Sequence, residues 1–252
     1  MDLQLKGNKA LITGGSRGIG RAIAEALSDE GCNVAICARN EDQVNEAVAA
    51  LSAKGVTAFG QAVDVGDGDA LKAWVEASAE ALGGIDNIVS NVSGGNGRTE
   101  ADWRSNFEHD MLGTVRMVEA AMSHLENSDN GSILVISTTA ALEAFIGPHS
   151  YNAIKAALLN YSGALAQEAG AKGIRVNAIS PGPIMIEGGA WDNIKQHMTP
   201  FYESTVAGIP VGRMGRAEEV AAQAALLASP LGAYTNGTNI VIDGGFTKRI
   251  QF

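Results

Sequence analysis

Short apolar runs alternate along this chain with longer stretches of helical periodicity, and no other feature restricts its fold as strongly. The runs at 10–13, 33–37, 57–62, 85–90, 132–137, 175–179 and 239–242 read as strands. The stretches at 18–30, 41–53, 67–82, 101–125, 151–172 and 217–228 read as helices. Val44, Val48 and Leu51 keep the i, i+4, i+7 stripe of a helix packed on a sheet. Strands that are apolar along their whole length are those buried on both faces, which is the condition of a parallel sheet. Right-handed crossovers then place helices on either side and give an α/β, doubly wound parallel sheet of about seven strands. The absence of a linker, repeat or low-complexity stretch predicts a single domain over 1–252.

The rhythm breaks once. From Pro181 to Arg216 no strand is predicted, and glycine and proline are dense, with Pro181, Gly182, Pro183, Gly188, Gly189 and Pro200 among them. An insertion after a strand's carboxyl end sits where ligands bind in open α/β sheets. Trp191, Ile194, Met198, Phe201 and Tyr202 predict a packed substrate lid over 183–216 rather than a disordered loop.

Composition excludes several alternatives. The 252 residues are 46% hydrophobic and 18% charged, enough to bury a full core. A formal charge of −10 argues against nucleic acid or an anionic membrane as partner. The first residues are too polar for a secretion signal, and no apolar run approaches the ~18 residues of a membrane span. Cys32 and Cys37 share one predicted strand and cannot bridge each other. Metal-ligand spacings are absent. A reduced, cytoplasmic protein is expected.

Between the first strand and the first helix lies the turn Gly14, Ser16, Arg17, Gly18, Ile19 and Gly20. Glycines there let the backbone approach a pyrophosphate, and the helix N-terminus offers aligned N–H groups. The spacing is Gly-x-x-x-Gly-x-Gly rather than Gly-x-Gly-x-x-Gly. A site for NAD would place a carboxylate about 20 positions further on. The chain reads Ala38-Arg39-Asn40 there, so Arg39, with Arg17, would face a 2′-phosphate instead. NADP(H) is therefore expected in preference to NAD(H).

Tyr151 and Lys155 fall on one helix face, four residues apart, and Thr138 lies thirteen residues earlier at the end of an apolar run. A cation beside a phenol favours the phenolate, so the pair has the make-up of a general acid/base, with a hydroxyl nearby to hold a substrate oxygen. Ser137 and Thr139 are weaker candidates for that hydroxyl. Phe145, His149, Trp191 and Phe201 are candidate substrate-pocket residues, with His197, Met198 and Tyr202 behind them.

Together these residues resemble the short-chain dehydrogenase/reductase family, over essentially the whole chain. The matching motifs are the glycine turn, Asp64-Val65, Asn91, Tyr151-x-x-x-Lys155, Pro181-Gly182 and Asp243-Gly244-Gly245. The resemblance implies a Rossmann-type domain that passes a hydride between NAD(P)(H) and an alcohol/carbonyl pair. It makes Tyr151 the acid/base and gives Lys155 the nicotinamide ribose. Asp64 and Val65 would take the adenine, Asn91 a place beside the ribose, and backbone around Pro181, Gly182 and Ile184 the carboxamide. A homotetramer or homodimer is implied as well, through the helices at 101–125 and 151–172. The tail 248–252 is a second candidate contact.

Four departures from the family pattern stand out. Thr138 replaces a serine, and Ile186 a threonine that commonly binds the carboxamide. The segment after the fourth strand reads Ser90-Asn91-Val92-Ser93-Gly94 instead of Asn-Asn-Ala-Gly. Asp110 stands at the usual active-site asparagine, which acts through its backbone carbonyl and a water leading to the lysine; Asn106, one turn earlier, is the rival. A small or medium, partly apolar ketone or secondary alcohol is the expected substrate. A 3-oxoacyl thioester and a non-catalytic NADP(H)-binding regulator are the alternatives.

Overall fold

The computed structural model describes residues 2–250, so Gln251 and Phe252 of the tail lie outside the described residues. Seven strands form one parallel sheet: β1 (Lys9–Thr13), β2 (Asn33–Ala38), β3 (Ala58–Ala62), β4 (Asn87–Ser90), β5 (Ser132–Ile136), β6 (Arg175–Pro181) and β9 (Asn239–Ile242). Their spatial order is β3-β2-β1-β4-β5-β6-β9. The chain thus winds outward one way from β1 and then the other way from β4. The crevice at the carboxyl ends of β1 and β4 is the switch point where such sheets bind ligands.

Strand residues divide between the two faces by alternation. Ala10, Ile12, Val34, Ile36, Leu134 and Ile136 pack against α1 (Gly18–Asp29), α2 (Glu41–Ser52) and α9 (Ala217–Ala228). Leu11, Ala35, Ile133, Val135 and Val176 pack against α3 (Gly68–Leu82), α5 (Gly113–Glu126) and α6 (Ser150–Gly170). Both faces of the central strands are buried, which is why those strands lack a polar side. Trp74 of α3 is fully buried in the second layer. Its truncation to alanine would cost about 3–5 kcal/mol.

Local signals set the helix starts. Asp67 accepts from the N–H groups of Asp69 and Ala70, and Asn40 from that of Gln43. Thr99 and Asp102 form a reciprocal capping box on α4 (Glu100–Asn106).

Two expectations are corrected. The predicted continuous helix over 101–125 is interrupted: α4 runs into a π-helical turn, Phe107–Leu112, before α5 begins at Gly113. Thr114 Oγ1 donates to the Asp110 carbonyl at 2.6 Å within this widened turn. The 183–216 segment is not free of strands either. Two-residue strands β7 (Ile184–Met185) and β8 (Gly215–Arg216) pair in parallel, with α7 (Ala190–His197) and α8 (Thr199–Ala207) between them. The pairing is invisible to periodicity because it rests on close approach: a Cβ on Gly215 would lie 2.5 Å from Ile184 Cδ1.

Candidate active site

The glycine turn is built for contact with a ligand backbone-first. Gly14 and Gly18 have φ of 66° and 59°, a region that side chains disfavour. A Cβ on Gly20 would lie 2.3 Å from the Gly14 carbonyl oxygen, so the first turn of α1 can sit against the loop only with glycine there. The backbone N–H groups of Gly14 and Gly15 are tied to the Cys37 carbonyl, at 2.8 and 3.2 Å. Asn91, at the end of β4, locks the turn from the other side. Its amide nitrogen donates to the carbonyls of Thr13 and Gly14, and its backbone N–H donates to Thr13 Oγ1.

Two lobes of one crevice open from this turn, of about 560 and 530 Å³, and share Arg17, Ile19, Asn91 and Ile186. The first lobe is bounded by Ser16, Gly18, Arg39, Asp64 and Val65. Arg17 and Arg39 are exposed there, and neither is ion-paired among the described residues. Asn40 beside them is spent as the cap of α2, which leaves Arg39 as the polar group at the end of β2. This glycine-backed, doubly cationic lobe fits the pyrophosphate and adenosine half of a phosphorylated dinucleotide.

The second lobe brings Thr138, Tyr151 and Lys155 together with Pro181, Gly182 and Ile184. Thr138 Oγ1 accepts from the Ala140 N–H at 3.3 Å, so the hydroxyl keeps its own hydrogen for another acceptor. Ser137 is buried, and its hydroxyl is used on the Lys155 carbonyl. The Tyr151 phenol makes no hydrogen bond to the described residues. Ile186 packs over the glycine turn, its Cδ1 3.2 Å from where a Gly18 Cβ would stand.

Lys155 is 3% exposed and held by three oxygens: the carbonyls of Val92 at 3.1 Å and Ile136 at 3.0 Å, and Asp110 Oδ1 at 3.1 Å. The carboxylate contact is an ion pair that falls outside hydrogen-bond geometry. Its ammonium sits 6.0 Å from the Tyr151 ring centroid.

Asp110 adds a contact that its place in the family pattern does not imply. Its backbone carbonyl accepts from Thr114 Oγ1, and its carboxylate lies against the lysine. Asp110 Oδ2 accepts from the Gly94 N–H at 2.6 Å and from Asn106 Nδ2 at 3.0 Å. Asn106, weighed above as its rival, is a second member of the same network, and its Oδ1 accepts from Ser150 Oγ at 2.7 Å.

The outer wall is aromatic. Phe145 and Trp191 line it, and Phe246, which the sequence reading did not single out, joins them edge-on to Phe145 at 5.7 Å. Phe246 is delivered by a turn in which Asp243 accepts from the N–H groups of Gly245 and Thr247, the motif that the glycine pair had signalled. Phe201 does not line the crevice; it stacks behind Trp191 at 5.9 Å and supports it. His149 does not line it either, since its Nε2 accepts from Arg98 Nε at 3.0 Å. Asn96 and Asn152 add polar groups to the wall. His197 on α7, Met198 between the helices and Tyr202 on α8 fall outside the lining.

A nucleotide crevice at the switch point of a doubly wound sheet, with a tyrosine–lysine pair at its second lobe, defines a dinucleotide-dependent oxidoreductase. The protein family described as Enoyl-(Acyl carrier protein) reductase matches residues 14–247. Isoepoxydon dehydrogenase of Penicillium expansum is 41% identical over 98% of both chains. D-threitol dehydrogenase of Mycolicibacterium smegmatis is 34% identical over 98% of this chain and 95% of its own. L-sorbose reductase of Gluconobacter frateurii, solved with NADPH and L-sorbose, superposes with a TM-score of 0.91 at 30% identity, over 99% of this chain and all of that one. The chain belongs to the short-chain dehydrogenase/reductase family, and it is an oxidoreductase acting between CH–OH and C=O.

Proposed function

We propose that this enzyme interconverts a small or medium, partly apolar ketone and its secondary alcohol with NADP(H) in preference to NAD(H). The observation that carries the reading is the convergence of Thr138, Tyr151 and Lys155 under an aromatic wall, beside a lobe bearing two exposed arginines. The substrates named for the relatives, isoepoxydon, D-threitol and L-sorbose, support a compact, oxygen-rich alcohol or ketone. A thioester on an acidic carrier protein has less support, because Lys195 is the one lysine or arginine on α7 and α8.

When bound, the dinucleotide would supply or accept the hydride at the reacting carbon. In reduction the Tyr151 hydroxyl gives its proton to the substrate oxygen, while the Thr138 hydroxyl donates a hydrogen bond to that oxygen. The Lys155 ammonium stabilises the phenolate left on Tyr151, and Asp110 with two carbonyls holds the ammonium in place. In oxidation Tyr151 takes the alcohol proton instead. Gly14, Ser16, Gly18, Ile19 and Gly20 would cradle the pyrophosphate, and Arg17 and Arg39 the 2′-phosphate. Asp64 and Val65 would hold the adenine, Asn91 the ribose side, and Pro181, Gly182 and Ile184 the carboxamide.

The free, buried thiols of Cys32 and Cys37 support a reduced, cytoplasmic setting. A homotetramer or homodimer assembled through α5 and α6 completes the reading. The exposed Trp103 and Phe107, at the approach to α5, support it. Tyr151→Phe should lower turnover of NADPH with carbonyl substrates by at least about 10²-fold. Undiminished turnover in that variant would overturn the assigned chemistry.

A further inference from the structure

The π-helical turn carries one group that the reaction above does not use. His109 reaches across to the loop after β3, and its Nε2 lies 3.0 Å from Asp64 Oδ1. Its Nδ1 lies 2.8 Å from the Ser105 carbonyl oxygen, so both ring nitrogens face acceptors, and only the doubly protonated imidazolium donates to both. The imidazole is therefore fixed at one end by α4 and at the other by a carboxylate in the nucleotide lobe. Room for it depends on Gly66, where a Cβ would lie 2.9 Å from Nε2.

Asp64 is restrained from a second direction. Its Oδ1 also accepts from the Gly66 N–H at 2.9 Å. Arg116 of α5, paired with Glu108 Oε1 at 2.5 Å, donates to the Gly66 carbonyl at 3.2 Å. Both restraints on the carboxylate fall on Oδ1, so Oδ2 has no protein donor among the described residues. The Asp64 side chain is 46% exposed and His109 lines the same lobe. The arrangement leaves one anchored carboxylate oxygen presented to a ligand that offers an amino group.

We infer that His109 is a positioning residue of the dinucleotide site, holding Asp64 so that its free oxygen accepts from the adenine amino group. The inference rests on the NADP(H) reading above. The next residue, Asp110, faces inward and holds Lys155. One π-helical turn thus serves both ends of the crevice, with His109 acting on the adenine end.

Calorimetric titration of the full-length protein with NADPH and with adenosine 2′,5′-bisphosphate, its adenosine half, tests this. His109→Phe should weaken both ligands by the same factor, about tenfold, the worth of one hydrogen bond to a charged group. His109→Gln, whose amide N–H can reach Asp64, should recover part of the loss. In an Asp64→Ala background the His109→Phe change should add nothing. Unaltered affinity in His109→Phe would overturn the inference, as would a loss confined to NADPH or full additivity with Asp64→Ala. Should His109→Phe not fold, His109→Gln in the Asp64→Ala background decides the additivity. Failure of the unaltered protein to bind either ligand would instead sink the cofactor reading itself.

Discussion

Removing the carboxylate of Asp110 tests how the active-site lysine is held. Asp110 and Lys155 are 1% and 3% exposed, so the pair is largely shielded from solvent. Asp110→Ala strips the ammonium of its only anionic neighbour among the described residues and leaves the Gly94 N–H and one Asn106 N–H without their acceptor. Breaking a buried ion pair from one side costs about 3–5 kcal/mol. In a chain of this size each kcal/mol moves the melting temperature by about 2–4 °C, so a fall of roughly 6–20 °C is expected. Asp110→Asn should cost less, because one oxygen still accepts from Gly94 while an amide replaces the charge. Thermal unfolding of Asp110→Ala, Lys155→Met and the double variant provides the assay. The double variant should be more stable than the sum of the single losses by at least about 2 kcal/mol, since it removes both charges together. Melting of Asp110→Ala within about 2 °C of the unaltered protein, or additive losses, would refute the ion pair as an organising contact.

Two further outcomes follow from Arg39 and from the start of α9. Arg39→Glu should raise KM for NADPH about 10- to 100-fold and leave NADH use equal or better, in steady-state assays with both cofactors; equal losses would contradict a 2′-phosphate at this position. At the start of α9, Arg213 hydrogen-bonds the Glu219 carboxylate, and with the Arg216 N–H it holds that group down to about 2. A folded-state value below the ordinary 4.5 stabilises the protein above that pH, and the contribution is lost as pH falls from 4.5 towards 2. Melting temperature against pH should therefore fall less steeply over that interval in Glu219→Gln.

The sheet was readable because its strands are apolar on both sides and its helices carry single stripes. All seven predicted strands are found, with ends shifted by a few residues at most. The β7–β8 pair was not readable, since two residues carry no period and the pairing depends on Gly215 meeting Ile184. The π-helical turn was hidden for a different reason. One extra residue per turn leaves the apolar stripe intact over short lengths, so 101–125 reads as unbroken helix. Spacing on a helix and glycine between strand and helix marked Tyr151, Lys155 and the cradle. Spacing says nothing of which atom of Asp110 faces the lysine, because that depends on the side-chain direction within the π-helical turn. His109 was missed as an isolated histidine whose partner lies 45 residues away in sequence, at Asp64. Phe246 was missed although the glycine pair before it was noticed, because a turn motif does not disclose what its exit points at.

The clamp that Asn91 places on the glycine turn bears on how fast a dinucleotide can enter. A loop with Gly14 at positive φ would ordinarily sample many shapes and lose that freedom on binding. Here one carboxamide and one threonine hydroxyl from the neighbouring strand ends have already fixed it. A dinucleotide entering there would find little left to order at the turn, so its capture would follow diffusion and the charge at Arg17 and Arg39 rather than loop closure.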